Sequence, residues 1–191
     1  MKTVFFDIDT QIDFLFPAGA LYVPGAERII GVVAHLNRHA AAAGSPLVST
    51  MDAHLENDVE FRNWPAHCVS GTVGQQKAPG TLLAERMVVP IADWAERIDG
   101  IPQLLLEKRA LDCFTNSNLE SLLLAFNADR YVLYGVVTEI CVKLAAQGLL
   151  DRGHKVEIVT GAVRSLSDAA GQAALQELTA RGAVLRSAAE F

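Results

Sequence analysis

No stretch of the sequence approaches the about 18 consecutive apolar residues that a membrane-spanning helix needs, although 51% of the 191 residues are hydrophobic. Those residues must therefore supply a core. Cysteine is scarce: Cys68, Cys113 and Cys141 are an odd set of three, which argues against a disulfide framework and leaves each thiol to be explained on its own. Clusters of Lys and Arg are absent, and 16 basic against 22 acidic residues leave a formal charge of -6. That balance weighs against nucleic acid or an anionic membrane as the main partner. The opening Met1-Lys2-Thr3 runs into a short apolar segment broken by Asp7, Asp9 and Asp13, which does not match a signal peptide. The expectation is a cytoplasmic protein with a small-molecule partner. Repeats, low-complexity tracts and linkers rich in Pro, Gly and Ser are also missing. The chain reads as one domain over 1–191, long enough to bury roughly 70% of its unfolded surface without a metal or disulfide staple.

What is present is an alternation of strand and helix patterns. Short apolar or β-branched runs occur at 3–8, 46–50, 103–106, 131–136, 155–159 and 183–185, and most are apolar throughout, as suits strands covered on both faces. Between them, Ala26, Ile29, Ile30, Val33, Asn37 and Ala40 recur at helical spacing between Pro24 and a C-terminal stop at Gly44. Leu119, Leu122, Leu123 and Phe126 form a second stripe behind Asn116 or Ser117 as cap. A third, through Val142, Ala145, Ala146, Leu149 and Leu150, ends at Gly153, and a fourth runs from near Asp168 to near Gly182. This order predicts a three-layer α/β/α sandwich with a mostly parallel central sheet of about six strands. In such folds the site lies at the carboxyl ends of the strands, so residues just after a strand are the candidates. The irregular stretch at about 52–99 is long enough to form a functional lobe over that edge.

Three strand ends carry reactive groups: Asp9 and Asp13 after the first, Lys108 after the third, and Cys141 after the fourth. A cysteine opening a helix gains from the free N–H groups and the dipole, which favour its thiolate. A nearby carboxylate could take the proton and a lysine could hold the resulting charge. Taken singly, each residue has an ordinary structural explanation; their placement on three strand ends is what points to nucleophilic chemistry. A second group lies in the lobe: Asp52-Ala53-His54 just after the second strand, then Glu60 and His67. Two imidazoles and two carboxylates suit a divalent transition metal such as zinc, iron or manganese. Cys68, next to His67, would point away from it in an extended segment.

These residues fall into motifs: Asp9-x-Gln11-x-Asp13-Phe14, Asp52-x-His54, Trp64-Pro65-x-His67-Cys68-Val69-x-Gly71-Thr72-x-Gly74, Lys108, and Gly135-x-x-Thr138-x-x-Cys141-Val142. Together they resemble the isochorismatase-like cysteine hydrolase superfamily and, within it, the nicotinamidase (pyrazinamidase) branch, over nearly the whole chain. The resemblance implies an Asp-Lys-Cys triad at Asp9, Lys108 and Cys141, and one metal at Asp52, His54, Glu60 and His67, with Glu60 standing where many members have histidine. It also implies a cis peptide at Val136-Val137 whose Val137 N–H joins that of Cys141 as an oxyanion site, and aromatic walls at Phe14 and Trp64. The implied activity is hydrolysis of nicotinamide to nicotinate and ammonia through a thioester, with no organic cofactor, in a homo-oligomer. The segment Lys108–Phe114 is as similar to broader members, so an amidohydrolase for N-carbamoyl or ureido substrates, or a catalytically silent relative acting as a partner protein, stays open at this point.

Overall fold

In the computed structural model, which describes all 191 residues, β1 (Thr3–Ile8) sends Phe5 to one face of a sheet and Phe6 to the other. The Phe5 ring lies 5.8 Å from that of His39, and the Phe6 ring 5.8 Å from that of Tyr131. Both are buried, and burying such a ring contributes about 1.5–3 kcal/mol. With both faces covered, every second position no longer needs to be polar, and the strand reads as a nearly unbroken apolar run. β2 (Leu47–Asp52), β4 (Gln103–Lys108) and β5 (Arg130–Val136) are likewise buried along nearly their whole length. Together with β3 (Arg86–Val89), β6 (Lys155–Arg164) and β7 (Val184–Arg186) they form one sheet in the order β3-β4-β2-β1-β5-β6-β7, with every pairing parallel.

The helices are α1 (Ile12–Leu15), α2 (Ile30–Ala42), α3 (Asn118–Phe126), α4 (Lys143–Asp151) and α5 (Asp168–Ala180). The α/β class and parallel sheet agree with the sequence reading, with one strand more: β3 lies inside the stretch expected to be irregular. Gly44, Gly153 and Gly182 end their helices with φ of +64°, +78° and +105°. At α3 the cap is Asn116, whose Oδ1 accepts the Asn118 N–H at 2.9 Å, and not Ser117. No helix is long and apolar enough to cross a membrane.

One polar network runs through the core below the sheet's carboxyl edge. Asp7, a charge inside a buried strand, accepts from Thr10 Oγ1 at 2.7 Å and from Asn37 Nδ2 and Ser49 Oγ at 3.2 Å. It also pairs with Lys77 Nζ at 3.2 Å. Lys77 is buried too, and its ammonium donates to the Thr50 carbonyl at 3.1 Å. Burial pulls Lys77 below the usual lysine range while Asp7 opposes the shift. A buried pair of this kind adds little net stability, but removing one partner costs about 3–5 kcal/mol. It locks the segment after residue 70 to the sheet, and so fixes the floor of the lobe that carries the site.

Candidate active site

Four adjacent strands, β4-β2-β1-β5, bring their carboxyl ends together. Register places Asp52 beside Lys108 and Ile8 beside Gly135. Asp9, the first residue past β1, sits at φ +48°, and this left-handed turn swings its carboxylate in over the sheet edge. Its backbone N–H donates to the Thr50 carbonyl at 3.2 Å, and Thr50 Oγ1 donates back to Asp9 Oδ1 at 2.7 Å. Oδ2 lies 3.0 Å from Lys108 Nζ, off the line of a hydrogen bond, and takes no other donor. Lys108 Nζ also bonds Asp52 Oδ1, donates to the Ala110 carbonyl at 3.1 Å, and stands 3.9 Å from Cys141 Sγ. The structure thus gathers Asp9, Lys108 and Cys141 around one ammonium.

Cys141 does not open a regular helix as expected. It lies in a wide turn, Thr138–Val142, closed by a Val142 N–H to Val137 carbonyl bond of 3.1 Å, just ahead of α4. Nor does position alone ionise it: burial pushes the thiol well above its ordinary value, Lys108 opposes, and the charges of Asp9 and Asp52 add to the rise. Asp9 is likewise raised by burial, with Lys108 opposing. Lys108 is held well above the usual lysine range because Asp52 and Asp9 outweigh the effect of its burial. The thiol therefore rests neutral beside the Lys108 ammonium. The Val136-Val137 peptide is cis, and the Val137 N–H donates to no protein acceptor.

Beside this group, Asp52, His54 and His67 each offer a ligand atom within 4.8 Å of the others. Asp52 Oδ2 is 3.8 Å from His54 Nε2 and 3.9 Å from His67 Nε2. His67 Nδ1 must donate to the Pro65 carbonyl at 2.7 Å, which leaves its Nε2 lone pair free. His54 Nε2 is buried without a partner. Two unengaged imidazole nitrogens facing a carboxylate are a donor set that fits zinc, iron or manganese. Glu60 stands at the rim, its Oε1 3.8 Å from His67 Nε2, with its carboxyl raised by burial and by Asp52. Burial lowers His67. At His54 the carboxylates of Asp52 and Asp58 outweigh burial and raise it.

A cleft of about 410 Å³, open mouth included, joins the two groups. Its lining includes Asp9, Cys141, Val136 and Val137, the metal-site residues Asp52, Glu60 and His67, and the aromatic side chains of Phe14 and Trp64 among apolar neighbours. No Lys or Arg lines it.

Residues 3–190 match the family model of the isochorismatase domain. The chain belongs to the isochorismatase family. Among its relatives is a nicotinamidase of Escherichia coli, 25% identical over 96% of this chain and 94% of that protein. The crystal structure of a pyrazinamidase of Pyrococcus horikoshii in complex with zinc is 28% identical, with a TM-score of 0.82 over 98% of this chain and 99% of that one. An N-carbamoylsarcosine amidase of Thermoplasma acidophilum is 25% identical, with a TM-score of 0.82 over 100% and 99%. The family fold is thus shared by proteins named for different amides.

Within this isochorismatase domain, two residues prominent in the sequence motifs act as supports. Asp13 takes no part in the cleft: its Oδ1 accepts the Ala20 N–H at 3.0 Å and its Oδ2 the Cys68 N–H at 2.7 Å, pinning the loop that carries His67. A Cβ on Gly74 would come within 2.1 Å of Asp13 Oδ2, so the close approach requires glycine there. Gln11 exchanges hydrogen bonds with the Asp52 backbone, receiving its N–H at 2.8 Å and donating to its carbonyl at 2.9 Å. Cys68 turns its sulfur to the Gly74 carbonyl at 3.8 Å, away from the metal positions, and Cys113 is core. Sequence reasoning missed Thr50, Lys77 and Asp58. The Asp7 charge inside an apolar strand was the available signal for Lys77, because a buried charge demands a partner. It also missed that Asp52 serves both groups, one oxygen on Lys108 and the other facing the imidazoles.

Proposed function

We propose that the protein is a nicotinamidase, a metal-containing cysteine amidohydrolase that converts nicotinamide to nicotinate and ammonia and so serves pyridine-nucleotide salvage. The observation that carries this reading is the grouping of Asp9, Lys108 and Cys141 beside a largely apolar cleft whose lining includes Phe14 and Trp64 and no Lys or Arg. Substrates such as N-carbamoylsarcosine, ureidoacrylate or maleamate carry a carboxylate, for which the lining offers no Lys or Arg partner. A neutral aromatic amide needs none.

In this mechanism Asp9 takes the proton of the neutral Cys141 thiol, and the thiolate forms beside the Lys108 ammonium. The sulfur adds to the amide carbonyl carbon, and the oxyanion is received by the N–H groups of Val137 and Cys141. Asp9 returns the proton to the leaving nitrogen, the C–N bond breaks, and ammonia departs from a thioester. Asp9 then draws a proton from water as its oxygen adds to the thioester carbon; the C–S bond breaks, Asp9 returns that proton to the Cys141 sulfur, and the acid formed loses its own proton to solvent as nicotinate. Phe14 and Trp64 flank the ring; such stacking adds about 0.5–1.5 kcal/mol and serves mainly to orient it. A zinc, iron or manganese ion held by Asp52, His54, His67 and Glu60 would supply a Lewis-acidic position for the ring nitrogen. The test is ammonia release across nicotinamide, pyrazinamide, N-carbamoylsarcosine, ureidoacrylate and maleamate, with metal analysis of the same sample. Preference for the two aromatic amides is expected. Preference for an anionic substrate overturns the specificity, and no release from any amide favours a silent relative.

A further inference from the structure

We propose that Asp58 is the positioning residue of the metal centre and sets two of its ligands, His54 and Glu60, with a single carboxylate. The inference rests on the metal centre of the preceding section. The Asp58 side chain is 8% exposed, and its Oδ2 lies 3.1 Å from His54 Nδ1, the ring nitrogen on the far side from Asp52. The approach is oblique, an ion-pair contact and not an aligned hydrogen bond, yet no other group bonds Nδ1. The second oxygen, Oδ1, accepts the Glu60 N–H at 3.1 Å and caps the turn Val59–Arg62, from which Glu60 reaches to 3.8 Å from His67 Nε2. Asp58 is itself fixed: its N–H donates to the Leu55 carbonyl at 3.1 Å, and its own carbonyl accepts the Phe61 N–H at 3.2 Å.

This placement has a chemical consequence. An imidazole binds a metal through one nitrogen only if its proton sits on the other, and an acceptor behind the ring selects that tautomer and its orientation. The Pro65 carbonyl does this for His67 at 2.7 Å; at His54 the Asp58 carboxylate, 3.1 Å from Nδ1, stands in the matching position behind the ring. An ordinary cap would serve Glu60 alone. The contact with His54 is what a cap does not require.

Serine and asparagine variants separate the two roles. Asp58→Ser keeps an oxygen for the Glu60 N–H but is too short to reach His54, and Asp58→Asn keeps the shape without the charge. Zinc affinity, measured by competition with a chromophoric chelator, should fall about 10–100-fold in both, with the thermal midpoint of the metal-free proteins close to wild type. The visible spectrum of the cobalt-loaded D58S protein should shift, reporting an altered ligand field. Zinc binding by D58S within about twofold of wild type overturns the inference and leaves Asp58 a cap. A fall in affinity matched by an equal loss of stability in the metal-free protein overturns it as well. Failure of the wild type to bind zinc or cobalt removes the metal centre itself, a result distinguishable from normal wild-type binding with unaltered variants.

Discussion

Cys141 is buried and protonated at rest, so its reactivity depends on a base and not on a standing thiolate. Cys141→Ala should lose roughly 10³- to 10⁶-fold in kcat with little change in unfolding free energy, checked by ammonia release and urea denaturation. The pH profile follows from the same shifts. Asp9 must be ionised to act, and burial raises it above its ordinary 3.8, so the acid limb of kcat/KM should lie above that value. Cys141 is raised above its ordinary 9.0, so no fall from thiol ionisation should appear up to that pH. The ultraviolet absorbance of a thiolate should be absent at neutral pH when wild type is compared with C141A; its presence would sink the neutral-thiol account. The candidate nucleophile, base and lysine were legible in the sequence because each stands at or shortly after the carboxyl end of a strand. Thr50 and Asp58 were not, since their importance comes from contacts with Asp9 and His54 that no spacing encodes.

At the scale of elements, the close approach of β1 and β5 is what brings Asp9 to Cys141, and Gly135 permits it. A Cβ there would lie 2.0 Å from the Ile8 carbonyl oxygen, and the residue sits at φ +117°. Backbone cannot step aside as a flexible side chain can, so Gly135→Ala should destabilise by about 3 kcal/mol or more, or prevent soluble folding. Gly153→Ala is the control: φ is +78° but nothing lies within 4 Å of the added carbon, so only the conformational cost of about 1–2 kcal/mol is expected. Equal losses in the two variants, measured by chemical denaturation, would show that the β1–β5 contact is not the constraint. Strand and helix order were readable because the long runs are apolar on both faces. β3 escaped because it is four residues long, lies at the sheet edge and is partly exposed, so its strand character comes from pairing with β4 and not from its own pattern.

For the molecule as a whole, the sheet order turns at β1: β2 and β4 extend from one side, β5 and β6 from the other, and the cleft opens at that switch. β2 and the lobe carry the candidate metal ligands, the turn after β5 carries the candidate nucleophile, and Asp52 is the residue that touches both groups, through Lys108 on one oxygen and the imidazoles on the other. The two groups are therefore coupled through one carboxylate, and the coupling can be read with two variants. His67→Ala removes a metal position but leaves Lys108, Asp9 and Cys141 in place, so zinc affinity and nicotinamide turnover should fall by at least about tenfold, while iodoacetamide still alkylates Cys141 at near the wild-type rate. Asp52→Asn takes a charge from both groups at once. Its loss leaves the Lys108 ammonium to Asp9 and Cys141, removes a negative charge that disfavours the thiolate, and strips the metal site of its central carboxylate. Zinc binding should drop and Cys141 alkylation should rise in that variant. If alkylation in D52N matches that in H67A, the metal centre and the nucleophile are energetically separate, and Asp52 belongs to the metal alone.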